Sequence, residues 1–251
     1  MKKTKQRTPP RPRPMAVPAH APARVPMDLR LSLLGLTLVA GWVDALSFLG
    51  LGKVFTSFMS GNVLFCGIAA GQRDWVFFGN AVAALAMFMG GAGTGAALIH
   101  HLPPAPKRLS RPLLLAEAFV MLIFALGWQL RDQISGILGW QTALLAVAAF
   151  GMGMQALGVI ILGIPGVATN ALTGTVTLIA RSLFHKLTGG KVPGEVNTRY
   201  LLLLCVAYTL SAGLVALAFQ ARIIGWVPFV LVATVALLGR HGSRTAGMGN
   251  P

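Results

Sequence analysis

Acidic residues are scarce in this sequence, which has six Asp and Glu among 251 residues against 21 Lys and Arg. Charged residues of both signs make up 11% of the chain, whereas 55% is hydrophobic and the mean hydropathy is +0.71. About a quarter of the residues in an ordinary soluble domain are charged. The composition therefore excludes a typical soluble domain and predicts an all-α protein that crosses the membrane several times.

Cysteine and histidine are also rare. Cys66 and Cys205 lie in apolar runs with no His, Asp or Glu nearby in sequence, so neither a disulfide scaffold nor a metal site is indicated. All five histidines fall outside the apolar runs, which removes the usual metal ligands and general bases from the membrane. Gly189-Gly190-Lys191 lacks the glycine spacing of a phosphate-binding loop. We therefore expect no metal, no cofactor and no enzymatic activity.

Long apolar runs are abundant instead. A transmembrane helix needs about 20 mainly apolar residues, and six runs meet or approach that length: 31–51, 75–99, 112–130, 139–163, 200–220 and 223–239. Two shorter runs, 54–70 and 167–183, follow breakers rich in Gly and Pro. The sequence predicts six long transmembrane helices plus two short helices that either span or are re-entrant.

Basic residues are concentrated ahead of the first run. Residues 1–27 combine Lys and Arg with Pro and Ala, and they hold too few apolar side chains to fold, so we expect a disordered cytoplasmic tail. The helical membrane domain is predicted over 28–240, and a short tail over 241–251 ends in the cytoplasm as well. Because no folded basic domain presents the charge, the expected partner is the lipid bilayer and not nucleic acid.

One stretch of the chain occurs twice. Residues 54–63 match residues 167–176, and Asp44-Ala45-Leu46 matches Gln155-Ala156-Leu157 when two extra residues are allowed in the second connection. The match predicts an internal two-fold repeat with halves of about 31–130 and 139–239. Halves that meet around short, glycine-interrupted helices recur in secondary transporters.

Two topologies stay open at this point. The 13 Lys and Arg that follow the start of the first run at residue 31 can be counted against each topology. If both short helices span, eight of them face the cytoplasm and five face away; if both are re-entrant, the division is nine and four. Two spanning helices would make the halves parallel, whereas two re-entrant helices would invert one half relative to the other.

Asp44 is the acid placed deepest in an apolar run, about 10 Å from the end of that run. A carboxylate at such depth is costly unless it is paired, solvated or protonated, and intramembrane acids usually face a cavity or the bundle interior. We predict that Asp44 binds a coupling proton or cation. The alternative is an Asp that only fixes helix contacts. Gln155, at the equivalent place of the second half, cannot ionise.

Hydroxyl and amide side chains surround these two positions. The predicted substrate- and ion-binding residues are Asp44, Ser60, Asn62, Gln155, Thr173 and Thr175. Such side chains bind polar solutes, and the alternative is that they cap helices or join them by hydrogen bonds.

Two further positions carry predictions about packing. Glu117, another acid in an apolar run, is expected at the membrane interface in a pair with Arg111 or Arg108. Gly91 and Gly95 predict a close helix contact, because small residues four apart let helix backbones approach each other.

The first half carries a recognisable block. Gly41-Trp42-Val43-Asp44-Ala45, followed by Phe48-Leu49-Gly50 and Met59-Ser60-Gly61-Asn62, resembles the YoaK family of bacterial integral membrane proteins, which is defined by a domain of unknown function. The family typically has Met-Thr-Gly-Asn where this chain has Ser60, so the hydroxyl is kept. The likeness extends from about 31 to 239. It implies a multi-pass protein of the bacterial inner membrane with about six spans, and it supplies no substrate.

Two functions from different classes follow. The first is a small secondary transporter or permease for an unidentified solute, whose halves alternate access to the polar site and whose coupling ion binds Asp44. The second is a non-transporting accessory, sensor or assembly membrane protein. Self-association into a homo-oligomer is left open under both. An intramembrane enzyme that uses Asp44 and Glu117 is the weakest interpretation, since no activated nucleophile accompanies them.

Overall fold

The computed structural model describes residues 25–100, 109–164, 167, 169, 172–188 and 197–238, and these residues form helices joined by turns and irregular segments, with no strand among them. The tails predicted over 1–27 and 241–251 lie almost wholly outside the described residues. The helices are α1 (Met27–Gly50), α2 (Met59–Gln72), α3 (Trp75–His100), α4 (Arg111–Gln129), α5 (Arg131–Ile134), α6 (Trp140–Ile161), α7 (Leu172–Leu187), α8 (Thr198–Ala218) and α9 (Trp226–Leu238).

Five of these helices, α1, α3, α4, α6 and α8, are long and apolar enough to cross a membrane. The prediction of a helical membrane protein is therefore confirmed. The last apolar run differs from its expected form, because it opens with a 3-10 turn at Arg222–Gly225 and continues as the shorter α9. The first repeated run differs too, since α2 begins only at Met59 and an irregular segment precedes it. The second short helix, α7, is described from Leu172 onward.

Contacts between the two predicted halves follow a reciprocal pattern. The helices in matching positions are α1 and α6, α2 and α7, α3 and α8, and α4 and α9. The extensive contact of α3 with α6 is matched by that of α8 with α1, and the contact of α4 with α6 is matched by that of α9 with α1. α4 and α9 also pack on each other. The first helix of each predicted half therefore packs mainly against helices of the other half.

The directions of α1 and α6 are opposite. Gln141 Nε2, near the start of α6, donates to the carbonyl oxygen of Gly50 at the end of α1 (3.3 Å). Further along α6, Gln155 Nε2 donates to the carbonyl oxygen of Leu36, near the middle of α1 (3.0 Å). Numbers rise along α6 while they fall along α1, so these matching helices are antiparallel.

The large contacts between halves join helices that run in the same direction. Along α3 and α6, Thr142 Oγ1 donates to Asn80 Oδ1 (2.7 Å), and further on Gly95 lies against Leu157. Along α1 and α8, Tyr200 OH donates to the carbonyl oxygen of Arg30 (3.0 Å), and Gly50 lies against Phe219. The two pairs are thus built alike.

Glycine is required where α3 crosses α6. A Cβ on Gly91 would collide with the carbonyl oxygen of Phe150, and one on Gly153 would collide with the carbonyl oxygen of Phe88. Gly95 also lies against α6. The close contact predicted for the Gly91 and Gly95 face is therefore confirmed, and its partner is α6.

A glycine in the left-handed region follows α1, and another follows α6. Gly52 has φ +99° and Gly163, 111 residues later, has φ +60°, a conformation that side chains with a Cβ rarely adopt. After Gly52 the chain folds back along α1, because Ser47 Oγ donates to the carbonyl oxygen of Val54 (3.0 Å). Gly52 itself lies beside Asn80, near the start of α3.

Candidate functional site

Asp44 accepts five hydrogen bonds and is only 2% exposed. Its Oδ1 accepts from the backbone amides of Thr56 and Ser57 (2.8 Å each) and from Thr56 Oγ1 (2.9 Å). Its Oδ2 accepts from Ser57 Oγ and Tyr208 OH, both at 2.6 Å. We call these four residues the Asp44 cluster. Both carboxylate oxygens are engaged by donors in this conformation.

The irregular segment before α2 supplies most of these donors. Backbone amides outside a helix have no intrahelical acceptor, and at membrane depth they need a partner within the protein. The Asp44 carboxylate is that partner for Thr56 and Ser57. Asn62 fixes the neighbouring Phe55, since Asn62 Oδ1 accepts from the Phe55 amide (3.0 Å) and Nδ2 donates to its carbonyl oxygen (2.6 Å). The break in the helix is thus held by two buried polar side chains.

Tyr208 is a functional candidate that the sequence interpretation missed. It lies 164 residues from Asp44 in an apolar run of α8, where one tyrosine gives no local pattern. The only signal was a hydroxyl inside a predicted span, since such a group usually needs a partner when it is buried.

Gln155 is the centre of a second polar group. It is 1% exposed, and its Nε2 donates to the carbonyl oxygen of Leu36 (3.0 Å) and to Thr169 Oγ1 (3.1 Å). We call Gln155, Thr169 and this carbonyl the Gln155 cluster. Thr169 follows Thr56 by 113 residues, so each half joins the polar residue of its first helix to the matching threonine.

The two clusters lie at different levels of α1. Leu36 precedes Asp44 by eight residues, or about 12 Å along the helix axis. Asn62 and Thr175 are buried, as Asp44 and Gln155 are, whereas Ser60 and Thr173 are exposed. The structure therefore brings Asp44 together with Thr56, Ser57 and Tyr208, and it does not gather the six predicted residues around one point.

Two cavities are lined in part by residues of the Asp44 cluster. One of about 260 Å³ is lined by Asp44, Ala45, Leu49, Tyr208 and Ala212, among others. The other, of about 290 Å³, is lined by Ser57, Ser60, Phe88, Ala92, Ala156 and Ile160, among others. Ala156 and Ile160 are 111 residues after Ala45 and Leu49. Tyr208 and Ala212 are four residues apart on α8, as Phe88 and Ala92 are on α3. Phe88 has no hydroxyl where Tyr208 has one.

Glu117 lies elsewhere than expected. Its side chain is 0% exposed, and both carboxylate oxygens lack a hydrogen-bond partner among the described residues. The expected pair with Arg111 is absent, because Glu117 lies on the face of α4 that packs into the protein. Arg108, the alternative partner, lies outside the described residues. Nor do the described residues contain three or more His, Cys, Asp and Glu side chains grouped to hold a metal ion.

Comparison with known proteins gives two matches. The family described as "Protein of unknown function (DUF1275)" matches residues 32–239. The "UPF0700 transmembrane protein YoaK" of Bacillus subtilis (strain 168) is 31% identical over 217 residues, which cover 84% of this chain and 92% of that protein. No solved structure matches the chain significantly.

Proposed function

Because this chain belongs to the YoaK family, whose domain has no known function, we propose from its geometry that it is a small secondary transporter or permease for an unidentified solute. The observation that carries the proposal is the reciprocal packing of two halves whose first helices, α1 and α6, are antiparallel. Inverted repeats that meet at broken helices are a recurrent architecture of transporters, in which one half rocks against the other. A left-handed glycine at the same point of each half supports the same repeat.

The proposed topology has six crossings and two re-entrant helices. The segment after α1 folds back from Gly50 to the level of Asp44, and α2 then leads to α3, whose Asn80 lies beside Gly52. These contacts support a chain that dips into the membrane and returns to the same side. An odd number of crossings per half then inverts the second half.

Charge supports an orientation for this topology. Lys53, Arg73, Arg131 and Arg222 belong to the end of the bundle near Gly50. The other basic residues that the structure describes after α1 belong to the opposite end: Arg111, Arg181, Lys186 and Arg199. Loops that are rich in Lys and Arg stay in the cytoplasm. We therefore propose an inner-membrane protein with both termini in the cytoplasm.

The solute pathway in this proposal runs past the two breaks. Asp44, Ser60, Asn62, Gln155, Thr173 and Thr175 are the residues that we propose to bind solute or ion. Because Asp44 already accepts five hydrogen bonds, an ion can bind its carboxylate only after the segment with Thr56 and Ser57 moves. Coupling at Asp44 thus requires a rearrangement of the break, which is the motion that alternating access needs.

Transport can be tested in proteoliposomes that contain a pH-sensitive dye. Panels of amino acids, organic acids and sugars would be added outside, under an imposed potassium diffusion potential. We expect at least one class to cause a protein-dependent proton flux that Asp44→Asn lowers at least tenfold, with protein-free liposomes as the control. A flux that Asp44→Asn leaves unchanged at every pH contradicts coupling through Asp44. The absence of flux with all panels favours an accessory or sensor role instead.

The topology has a separate test that needs no solute. Single cysteines replace Arg73 and Lys107 in a chain whose Cys66 and Cys205 are changed to Ala, and a membrane-impermeant maleimide labels them from each side. Re-entrant short helices predict that position 73 is labelled from outside and position 107 from the cytoplasm. Spanning short helices predict the reverse.

A further inference from the structure

Glu117 is a buried acid that the proposed pathway does not use. It lies six residues, or about 9 Å, into α4, and none of its side chain is exposed. Neither oxygen has a hydrogen-bond partner in the part of the chain that the structure describes. A carboxyl group in that position is expensive to keep, and intramembrane acids of this kind mark proton or ion pathways.

The surroundings of Glu117 follow from the packing of α4 on α6. Leu113 and Met121, one turn to either side of it, lie against Gly158 and Gly151. Glu117 therefore faces the turn of α6 that contains Gln155. Gln155 lies on the same face of α6 as these two glycines, because it is four residues after Gly151 and three residues before Gly158.

Gln155 presents the second unpartnered group at this level. Its Nε2 makes two hydrogen bonds, but its Oε1 makes none with a described residue. A buried carboxyl group on α4 and a buried amide oxygen on α6 thus lie at the same level of two packed helices, and neither has a hydrogen-bond partner among the described residues. A protonated carboxyl group is a donor and the amide oxygen is an acceptor, so one proton would make the two groups complementary.

Among the residues that the structure describes, no charged group on the helices facing Glu117 compensates an ionised carboxylate. α6 and α9, which pack on α4, contain no Asp, Glu, Lys, Arg or His. The remaining charged groups on elements that pack against α4 belong to its two ends: Arg111, His100 at the end of α3, Arg131, Asp132 and Arg222. Asp132 pairs with both Arg131 and Arg222. An isolated ionised carboxylate in such a place would be neutralised instead.

We propose that Glu117 is a proton-binding site of this protein, and that Gln155 Oε1 is the acceptor toward which the bound proton is directed. Hard divalent cations take about six or more oxygen ligands, and the three unpartnered oxygens of these two residues are too few for one, whereas a proton needs one donor oxygen and one acceptor. Rotation of α4 against α6 would expose the carboxyl group and release the proton. Use of that proton for coupling rests on the proposed transport function, but proton binding does not.

Isotope-edited infrared spectroscopy tests the site directly. The chain contains two glutamates, Glu117 and Glu195. Cell-free synthesis with glutamate that carries ¹³C in its side-chain carboxyl group therefore labels two side chains. In the Glu195→Gln background, Glu117 is the only labelled carboxyl group, and its own side chain is unchanged. We expect a ¹³C-shifted carbonyl stretch of a protonated carboxyl group in reconstituted protein at neutral pH, which gives way to a carboxylate band as the pH rises.

Two variants complete the test. Glu117→Gln should remove the shifted band, and Asp44→Asn should leave it in place. A spectrum that shows only a ¹³C-carboxylate band for Glu117 at neutral and mildly acidic pH would overturn the proposal, because the group would then be ionised in the folded protein. If the protonated band is present but Glu117→Gln leaves solute-driven proton flux unchanged, proton binding stands and its role in coupling fails.

Discussion

Two buried acids, Asp44 and Glu117, are kept in the membrane domain by opposite arrangements. Asp44 accepts five hydrogen bonds, and two of them come from backbone amides that the irregular segment leaves without a helical partner. Glu117 has no hydrogen-bond partner among the described residues and no charged residue on α6 or α9. The two groups are similarly buried, so burial alone does not distinguish their roles.

The difference indicates which acid holds the break in this conformation and which acid can bind a proton without a movement of the break. A carboxylate surrounded by donors is stabilised as an anion, and losing it would leave buried donors unsatisfied. A carboxyl group without donors gains nothing from its charge and is free to bind a proton. Asp44 therefore fixes the break between α1 and α2 in this conformation, whereas Glu117 is the site at which a proton can bind at little cost to the fold.

The largest expected effect is that of removing the Asp44 carboxylate. Asp44→Ala leaves the amides of Thr56 and Ser57 and the hydroxyl of Tyr208 without an acceptor, so we expect the free energy of unfolding to fall by about 3–5 kcal/mol. Reversible unfolding in mixed detergent micelles measures this change.

The matched control is Asp74→Ala. Asp74 is exposed, and its Oδ1 accepts only from the Phe77 amide at the start of α3. Loss of such a cap costs about 1 kcal/mol. If both substitutions destabilise the protein equally, Asp44 does not have the structural role assigned to it.

The second effect should have the opposite sign. Glu117→Met replaces an unpartnered carboxyl group by an apolar side chain of similar length, and so removes a desolvation cost of about 1–3 kcal/mol. We expect the free energy of unfolding of the variant to be higher than that of the unchanged protein, as measured by reversible unfolding in mixed detergent micelles. A loss of stability would show that Glu117 makes a favourable interaction in the folded state, which contradicts the contrast with Asp44.

Much of the fold could be predicted from the sequence, because five apolar runs were long enough to exclude other elements. The break after Gly52 and the burial of Asp44 were readable as well, since both depend on local residue types. The partner Tyr208 could not be predicted, because a contact across 164 residues depends on how α8 packs on α1.

The burial of Glu117 was also beyond the sequence. α4 is apolar on most of its surface, so the periodicity that identifies the inward face of a soluble helix is weak there. The nearby arginines suggested an interfacial pair, yet helix packing turned the carboxyl group toward α6. The direction of α6 relative to α1 was also open, because the charge counts for the two topologies differed by one residue. In the structure, the hydrogen bonds from α6 to the carbonyl oxygens of Gly50 and Leu36 show that α6 runs antiparallel to α1.

The smallest expected effect is a difference between Thr56 and Thr169, which hold matching positions in the two predicted halves. Thr56 Oγ1 donates to the Asp44 carboxylate, and Thr169 Oγ1 accepts from the neutral amide of Gln155. Hydrogen bonds to a charged group contribute about 1.5–3 kcal/mol and neutral ones about 0.5–1.5 kcal/mol. Thr56→Val should therefore destabilise the protein by about 1 kcal/mol more than Thr169→Val, in the same unfolding measurement. Each substitution keeps the shape of the side chain, so equal losses would mean that the hydrogen bond of Thr56 to the carboxylate contributes no more than that of Thr169 to the amide, which contradicts the special role of the donors around Asp44.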